Sequence, residues 1–495
     1  MRLDYLRLSA GGALAKLAGA AREILLARYF GTGPVADAYR GSLTLTLAPV
    51  HLLTAKAIET CFVPLYARYE ATEPRKAQVL LQSLLLFFVG VGALTAGALA
   101  AGAGPLVRAV LHGFDPARAA LAVQMVRILA AGVPAYVYCG VLSSLGMARR
   151  DFAIPALRPA LQNLGMVVMI VAAAWRGEPA LAAYGFSGTY VLLAGWATLH
   201  LRRRGHLHLQ ASWDAALVRE TGARMWNLLR PLLLLSALVE GNILVERHIA
   251  AGIGPGNVAA LDYARFLTES VHFLVAVPLG LLGLSLFANL SDRETDARLD
   301  RLIALLMVGL VPLSAFLAIN GREVLAVLYL RGQYDLDSLH LTTRACLGLS
   351  LGLWAFSASH VLQRVMNARL RNRTVLCAET VAIVLNVGCN LLLWRPLGVL
   401  ALGMGVTLGA LGSLFCYLKS VGPLAGLFRR TAGHMLVAVP PYLLIAWFLG
   451  RLTSRSLAGV AWQGLAAAAY WGVVIAMRRE TRRMVWQRIG GRPGG

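Results

Sequence analysis

Acidic side chains are scarce in this chain, with 24 Asp and Glu against 47 Lys and Arg, and charged residues of either sign make up only 14% of it. An ordinary soluble domain is excluded, because its surface is solvated by roughly 25% charged residues. Also missing is a hydrophilic stretch long enough to fold alone: the longest, RRRGHLHLQASWDAALVRE, runs only from Arg202 to Glu220. A membrane glycosyltransferase or ligase would need a substantial loop with paired carboxylates or a metal cluster, so the short loops argue against an enzyme. Cysteine is rare as well. Cys61, Cys139, Cys346, Cys377, Cys389 and Cys416 all fall inside apolar segments without metal-ligand spacing, which predicts small core residues. No cleavable signal peptide is evident, since the first apolar segment is interrupted by charge and leads straight into another.

What is present is apolar sequence. Hydrophobic residues form 58% of the chain and the mean hydropathy is +0.64, the composition of an all-α integral membrane protein. About fourteen segments of spanning length follow one another from 8–30 to 456–477. The net charge of +23 is not gathered on one face. Basic residues crowd every second loop, as at Arg149 and Arg150, Arg202 to Arg204, Arg369 to Arg373 and Arg478 to Arg483, whereas Arg176 and Arg395 stand nearly alone between them. The rich loops are therefore expected in the cytoplasm with both termini, where they read as topology signals and contacts to anionic membrane lipids. A nucleic-acid partner is not expected.

The hydrophilic break places six spans before it and eight after. The expected organisation is an N-lobe over 1–205, a cytoplasmic linker over 206–222, a C-lobe over 223–420, a C-terminal helix pair over 421–480 and a tail over 481–495. Polar residues in the first spans of each lobe suit a transporter of two repeats with a cavity between them. In ALAKLAGAAREILLARYFG the first span carries Lys16, Arg22 and Glu23. Lys16 lies roughly 12 Å along the helix from Leu8, where a charge costs at least about 2.5 kcal/mol unless it faces a partner or a wet cavity. Span seven offers Glu240, Glu246 and Arg247, and span eight Asp262, Arg265 and Glu269.

These stretches carry a resemblance. ALAKLAGAAREILLARYFGTGPVADAY resembles the opening of the MviN/MurJ family of lipid II flippases, within the multidrug/oligosaccharidyl-lipid/polysaccharide exporter superfamily. CFVPLYARY, RRDFAIPALRPALQNLG, GNVAALDYARFL and LGLWAFSASHVLQRVMNARLRNRT are similar to later parts of the family in order and spacing, over about residues 10–420. The resemblance implies a fold of about 14 transmembrane helices, two six-helix lobes related by a pseudo-two-fold axis plus a C-terminal helix pair. It implies a flippase in the bacterial inner membrane that moves a polyprenyl-pyrophosphate-linked glycan by alternating access, acting as a monomer and without a catalytic residue. An exopolysaccharide or O-unit flippase stands as the alternative within the superfamily. A multidrug antiporter fits less well, since it would want an acidic cavity and usually stops at twelve helices.

The resemblance also nominates residues. Lys16, Arg22 and Glu23 match charged family positions in span one, where the cations would meet the pyrophosphate; a structural ion-pair network is the alternative. Asp37 matches a family acid but equally suits a helix start. Span two departs from the family: Val50 and His51 stand in the region of a basic pair, and Lys56 and Glu59 add charges that suit cargo contact or mutual pairing. Arg265 and Glu269, one turn apart in span eight, fit the cavity or a local pair. A sodium ion held by some family members would here meet Glu246, Asn386, Asn390 and Thr407, although asparagine hydrogen bonds between helices explain the same residues. No other cofactor is expected.

Overall fold

A computed structural model describes residues 2–207, 214–287, 292–369, 371–421, 426–452 and 457–477, leaving aside the side chains of 2–9, 53–60, 231–232, 275–287, 292–299, 368, 421, 427, 451–452 and 457. The described residues form sixteen helices and no strand. In order these are α1 (Arg2–Phe30), α2 (Pro34–Thr72), α3 (Pro74–Val110), α4 (Pro116–Ala148), α5 (Ala153–Arg176), α6 (Leu181–Arg203), α7 (Ala215–Ile253) and α8 (Asn257–Phe287). They continue with α9 (Asp292–Tyr329), α10 (Leu336–Leu351), α11 (Leu353–Ala368), α12 (Asn372–Leu397), α13 (Val399–Val421), α14 (Gly426–Val437), α15 (Val439–Leu452) and α16 (Leu457–Met477).

Among the described residues, eight helices are long and apolar enough to cross a membrane, or up to ten if bent pairs count as single spans. The expected number of about fourteen is not reached by that measure. α1 and α2 fall short because ionisable side chains interrupt their apolar runs. Two expected segments are also broken. The segment at 339–367 bends by 51° between α10 and α11 at Gly352. A Cβ there would come within 2.6 Å of Thr407 Cα, so only glycine lets the chain approach α13 this closely. The segment at 433–452 still counts as one of the eight spans but is interrupted at Ala438, ahead of Pro440 and Pro441, which bring no backbone N–H to continue the helix. α12 runs through Pro396 to Leu397 and ends at Gly398, whose φ of 58° is a left-handed turn that suits glycine.

Loop carboxylates start three of the helices, α4, α7 and α10. Asp115 accepts the Arg118 N–H at 3.0 Å, Asp335 accepts the Ser338 N–H at 2.8 Å, and Asp214 accepts from Ala216 and Leu217. Each satisfies donors that a first helical turn leaves without partners. Four of the six cysteines are buried as expected; Cys377 is exposed and Cys416 half-buried, so these two are not core residues.

The chain forms two compact units. The first comprises Met1–Ala259 with Arg331–Tyr334, so α7, which the sequence groups with the second lobe, packs here on α2 and α3. The second comprises Ala260–Leu330 and Asp335–Gly495. Its core is built around α9, with Leu306, Met307 and Leu310 meeting Leu362, Tyr417, Met435 and Trp471. Where α10 meets α13 the backbones nearly touch: a Cβ on Gly403 would lie 2.7 Å from Ala345 O. Small residues at such crossings supply the close packing that holds helices together in lipid, where apolar surface alone gives no preference for protein neighbours.

Candidate functional site

In the first unit the span-one charges form a network. Glu23 is 2% exposed and takes Arg22 Nη2 at 2.6 Å and Nε at 3.2 Å on one carboxylate oxygen. Arg40, 17 residues further on and on α2, grips the other oxygen. The remaining Arg22 amino group donates to Asn163 Oδ1 at 2.9 Å, and Asn163 Nδ2 donates to Ala15 O, fastening α1 to α5. Two guanidiniums therefore meet on this one carboxylate. The Arg22 side chain is 24% exposed while Arg40 is 8% exposed, so Arg22 is the cation available to an incoming anion. Lys16 is exposed on α1, two turns before this cluster.

Asp37 is fully buried near the start of α2. It accepts the backbone N–H of Gly256 at 2.7 Å and of Ala259 at 2.9 Å, so its carboxylate caps the start of α8, with Arg118 Nη1 3.4 Å away. Arg118 also holds Asp115 at 2.8 Å. The Arg118 backbone N–H, followed by its guanidinium, keeps the Asp115 carboxyl below its ordinary range despite partial desolvation. Beside this cluster the rings of His112 and His248 stack with centroids 4.1 Å apart. Burial, and then His248 itself, lower the basicity of His112.

A third group crosses the same unit. His51 Nδ1 lies 3.4 Å from Glu240 on α7, and His51 Nε2 lies 3.3 Å from the Tyr136 hydroxyl on α4. Arg158 on α5 stacks over Tyr136 and Tyr190, and Tyr190 OH donates to Gln162 at 2.5 Å.

The side chains of Lys56 and Glu59 lie outside the described residues. In the second unit Arg265 is half-buried and Glu269 exposed on successive turns of α8. Glu246, buried on α7, belongs to the first unit, whereas Asn386, Asn390 and Thr407 belong to the second. Asn390 Nδ2 donates to Asn386 Oδ1 at 2.9 Å within α12, so the two amides bond to each other along one helix. Asn390 Oδ1 is buried without a hydrogen-bond partner, and Thr407 Oγ1 donates to Gly348 O at 2.7 Å. No group of three or more His, Cys, Asp or Glu residues suited to a metal occurs among the described residues.

Sequence reading missed Arg40, Arg118 and Arg158. Each is an arginine within or beside an apolar segment, the signal that singled out Arg22, and each meets at least one partner distant in sequence: Glu23 for Arg40, Asp37 for Arg118 and Tyr190 for Arg158.

Comparison with known proteins agrees with this architecture. The family model described as "Lipid II flippase MurJ" matches residues 26–476. A probable lipid II flippase MurJ from Rhizobium tropici is 24% identical over 92% of this chain and 85% of its own length. The Bdellovibrio bacteriovorus protein of the same description is 25% identical over 96% of this chain and 94% of its own. Among solved structures, lipid II flippase MurJ in an inward closed conformation superposes with a TM-score of 0.81 at 16% identity, covering 98% of this chain and 99% of that one. An inward-facing multidrug resistance MATE family transporter of the MOP superfamily gives 0.67 at 13% identity, covering 86% and 99%.

Proposed function

The chain belongs to the lipid II flippase MurJ family, and we propose that it carries an undecaprenyl-pyrophosphate-linked peptidoglycan precursor across the bacterial inner membrane by alternating access. The observation that supports this reading most directly is the Arg22–Glu23–Arg40 cluster. It places a partly exposed guanidinium, that of Arg22, inside the membrane-spanning first unit. A pyrophosphate needs charge-assisted donors to leave water and no chemistry done to it, which makes the protein a transporter and not an enzyme. The basic loops put both termini in the cytoplasm, and the protein works as a monomer. A sodium ion near Asn386, Asn390 and Thr407 is part of the same proposal, supported by the unpartnered Asn390 Oδ1.

One departure favours a second cargo, a different polyprenyl-pyrophosphate-linked oligosaccharide. His51 stands where a basic pair is expected and is already engaged by Glu240. Depleting a host's own lipid II flippase separates the two readings: restored growth supports the peptidoglycan precursor, and failure at normal expression favours the other glycan.

A further inference from the structure

Among the described residues, no carboxylate neutralises the charge of Arg158. This residue sits about 8 Å into α5, inside the bundle, with the 1%-exposed Tyr190 on one side and Tyr136 on the other. Its guanidinium lies 4.7 Å from the Tyr136 ring centroid and 5.4 Å from that of Tyr190. Nε donates to the Tyr190 hydroxyl at 3.3 Å. Among the described residues, no acceptor meets either Nη group and no carboxylate lies within ion-pair distance.

The surroundings explain why none does. Tyr190 gives its proton to Gln162, so its lone pair faces Arg158 and the Gln162 oxygen is occupied. Asp151, at the foot of α5, is held by His200 at 2.8 Å. Glu240 is held by His51, and Tyr136 stands between His51 and the guanidinium. On the α4 side Nη1 faces Gly140, which has no side chain to meet it. An unneutralised guanidinium within a membrane span is expensive. Two aromatic faces offset part of that cost by cation–π attraction, but they leave the forked Nη donors unused and the guanidinium plane fixed.

We infer that Arg158, framed by Tyr136, Tyr190 and Gln162, is an oxyanion-binding subsite for the translocated lipid, accepting a phosphate or carboxylate oxygen of the lipid-linked glycan on its two Nη groups. The assignment rests on the cargo reading above and deepens it. A planar guanidinium held between two rings is oriented in advance for bidentate contact, which a lysine cannot reproduce.

The test uses the full-length protein in nanodiscs, with undecaprenyl pyrophosphate, the lipid-linked disaccharide-pentapeptide and, as the uncharged control, undecaprenol. Unaltered protein that binds neither anionic lipid overturns the cargo reading, and this assignment with it, before any variant is made. Given binding, Arg158→Gln is expected to weaken it at least tenfold, with Arg158→Lys intermediate and the response to undecaprenol unchanged. Weakening of both anionic lipids identifies the pyrophosphate as the ligand, and weakening of the glycan-bearing one alone identifies a headgroup carboxylate. Equal affinities for Arg158→Gln and the unaltered protein overturn the subsite. Should Arg158→Gln fold poorly, phenylglyoxal modification of the unaltered protein gives an independent reading by mass spectrometry. Bound lipid is expected to slow Arg158 modification at least fivefold, and an unchanged rate overturns the assignment.

Discussion

Asp37 accepts the backbone N–H of Ala259, a residue 222 positions further along the chain, at 2.9 Å. With the Gly256 N–H and Arg118 on the same carboxylate, a side chain of α2 closes the first turn of α8. Replacing it by alanine leaves Arg118 short of one carboxylate and two backbone donors uncapped. Asp37→Ala is expected to destabilise the fold by about 3 kcal/mol, and Asp37→Asn by less, because the amide oxygen still accepts. Thermal unfolding in detergent measures both; an Asp37→Ala protein as stable as the unaltered one would show that the cap contributes nothing.

The two arginines on Glu23 predict different phenotypes. Removing Arg22 leaves Glu23 gripped by Arg40, so Arg22→Ala should fold in good yield yet lose translocation, and Arg22→Lys should recover only part of it. Removing Arg40 takes away the more buried partner. Arg40→Ala should lower stability by about 3 kcal/mol. Folded yield measured beside transport tests the contrast, which fails if both variants lose stability alike.

The first span was legible in sequence because Lys16, Arg22 and Glu23 interrupt an apolar run, and a charge in lipid demands an explanation. Which of them meet was not legible. Arg40 and Asn163, the partners that decide the role of Arg22, lie 17 and 141 positions away from Glu23 and Arg22 respectively, and helical periodicity alone assigns no neighbours across such distances. For Asp37 the sequence left a family acid and a helix-start carboxylate equally open; it does lie in the first turn of α2, but the backbone donors it accepts belong to the start of α8. Likewise Asn386 and Asn390 were correctly read as one turn apart, yet their mutual hydrogen bond depends on side-chain rotation that spacing does not fix. The breaks at Gly352 and Ala438 escaped notice because hydropathy continues across them.

Packing between α12 and α13 makes Gly405 sensitive. A Cβ there would collide with the side-chain oxygens of both Asn386 and Asn390. Gly405→Ala is therefore expected to cost about 1–3 kcal/mol and to abolish any sodium dependence of transport. Asn390→Ala should abolish that dependence at a smaller stability cost. Transport that is indifferent to sodium in the unaltered protein would remove the ion from the account.

Asp151, in the turn between α4 and α5, gives a pH signature. Burial pushes its carboxyl up, but the Ala153 N–H, His200 and Arg204 together outweigh it and hold the group below its ordinary range. A carboxyl depressed in the folded state contributes stability that is complete above its unfolded value of about 3.9 and is lost as pH falls through the folded value. The unaltered protein should thus lose thermal stability more steeply than Asp151→Asn between about pH 5 and about pH 3. Parallel pH profiles would contradict the assignment.

The central claim, that this chain moves lipid II, is tested most directly by its exposure at the outer leaflet. In spheroplasts of a host depleted of its own flippase, an externally added lipid II-cleaving enzyme should degrade the precursor when this chain is expressed, and should degrade little of it when the chain carries Arg22→Ala. Lipid II that stays protected despite normal amounts of folded protein would contradict the account.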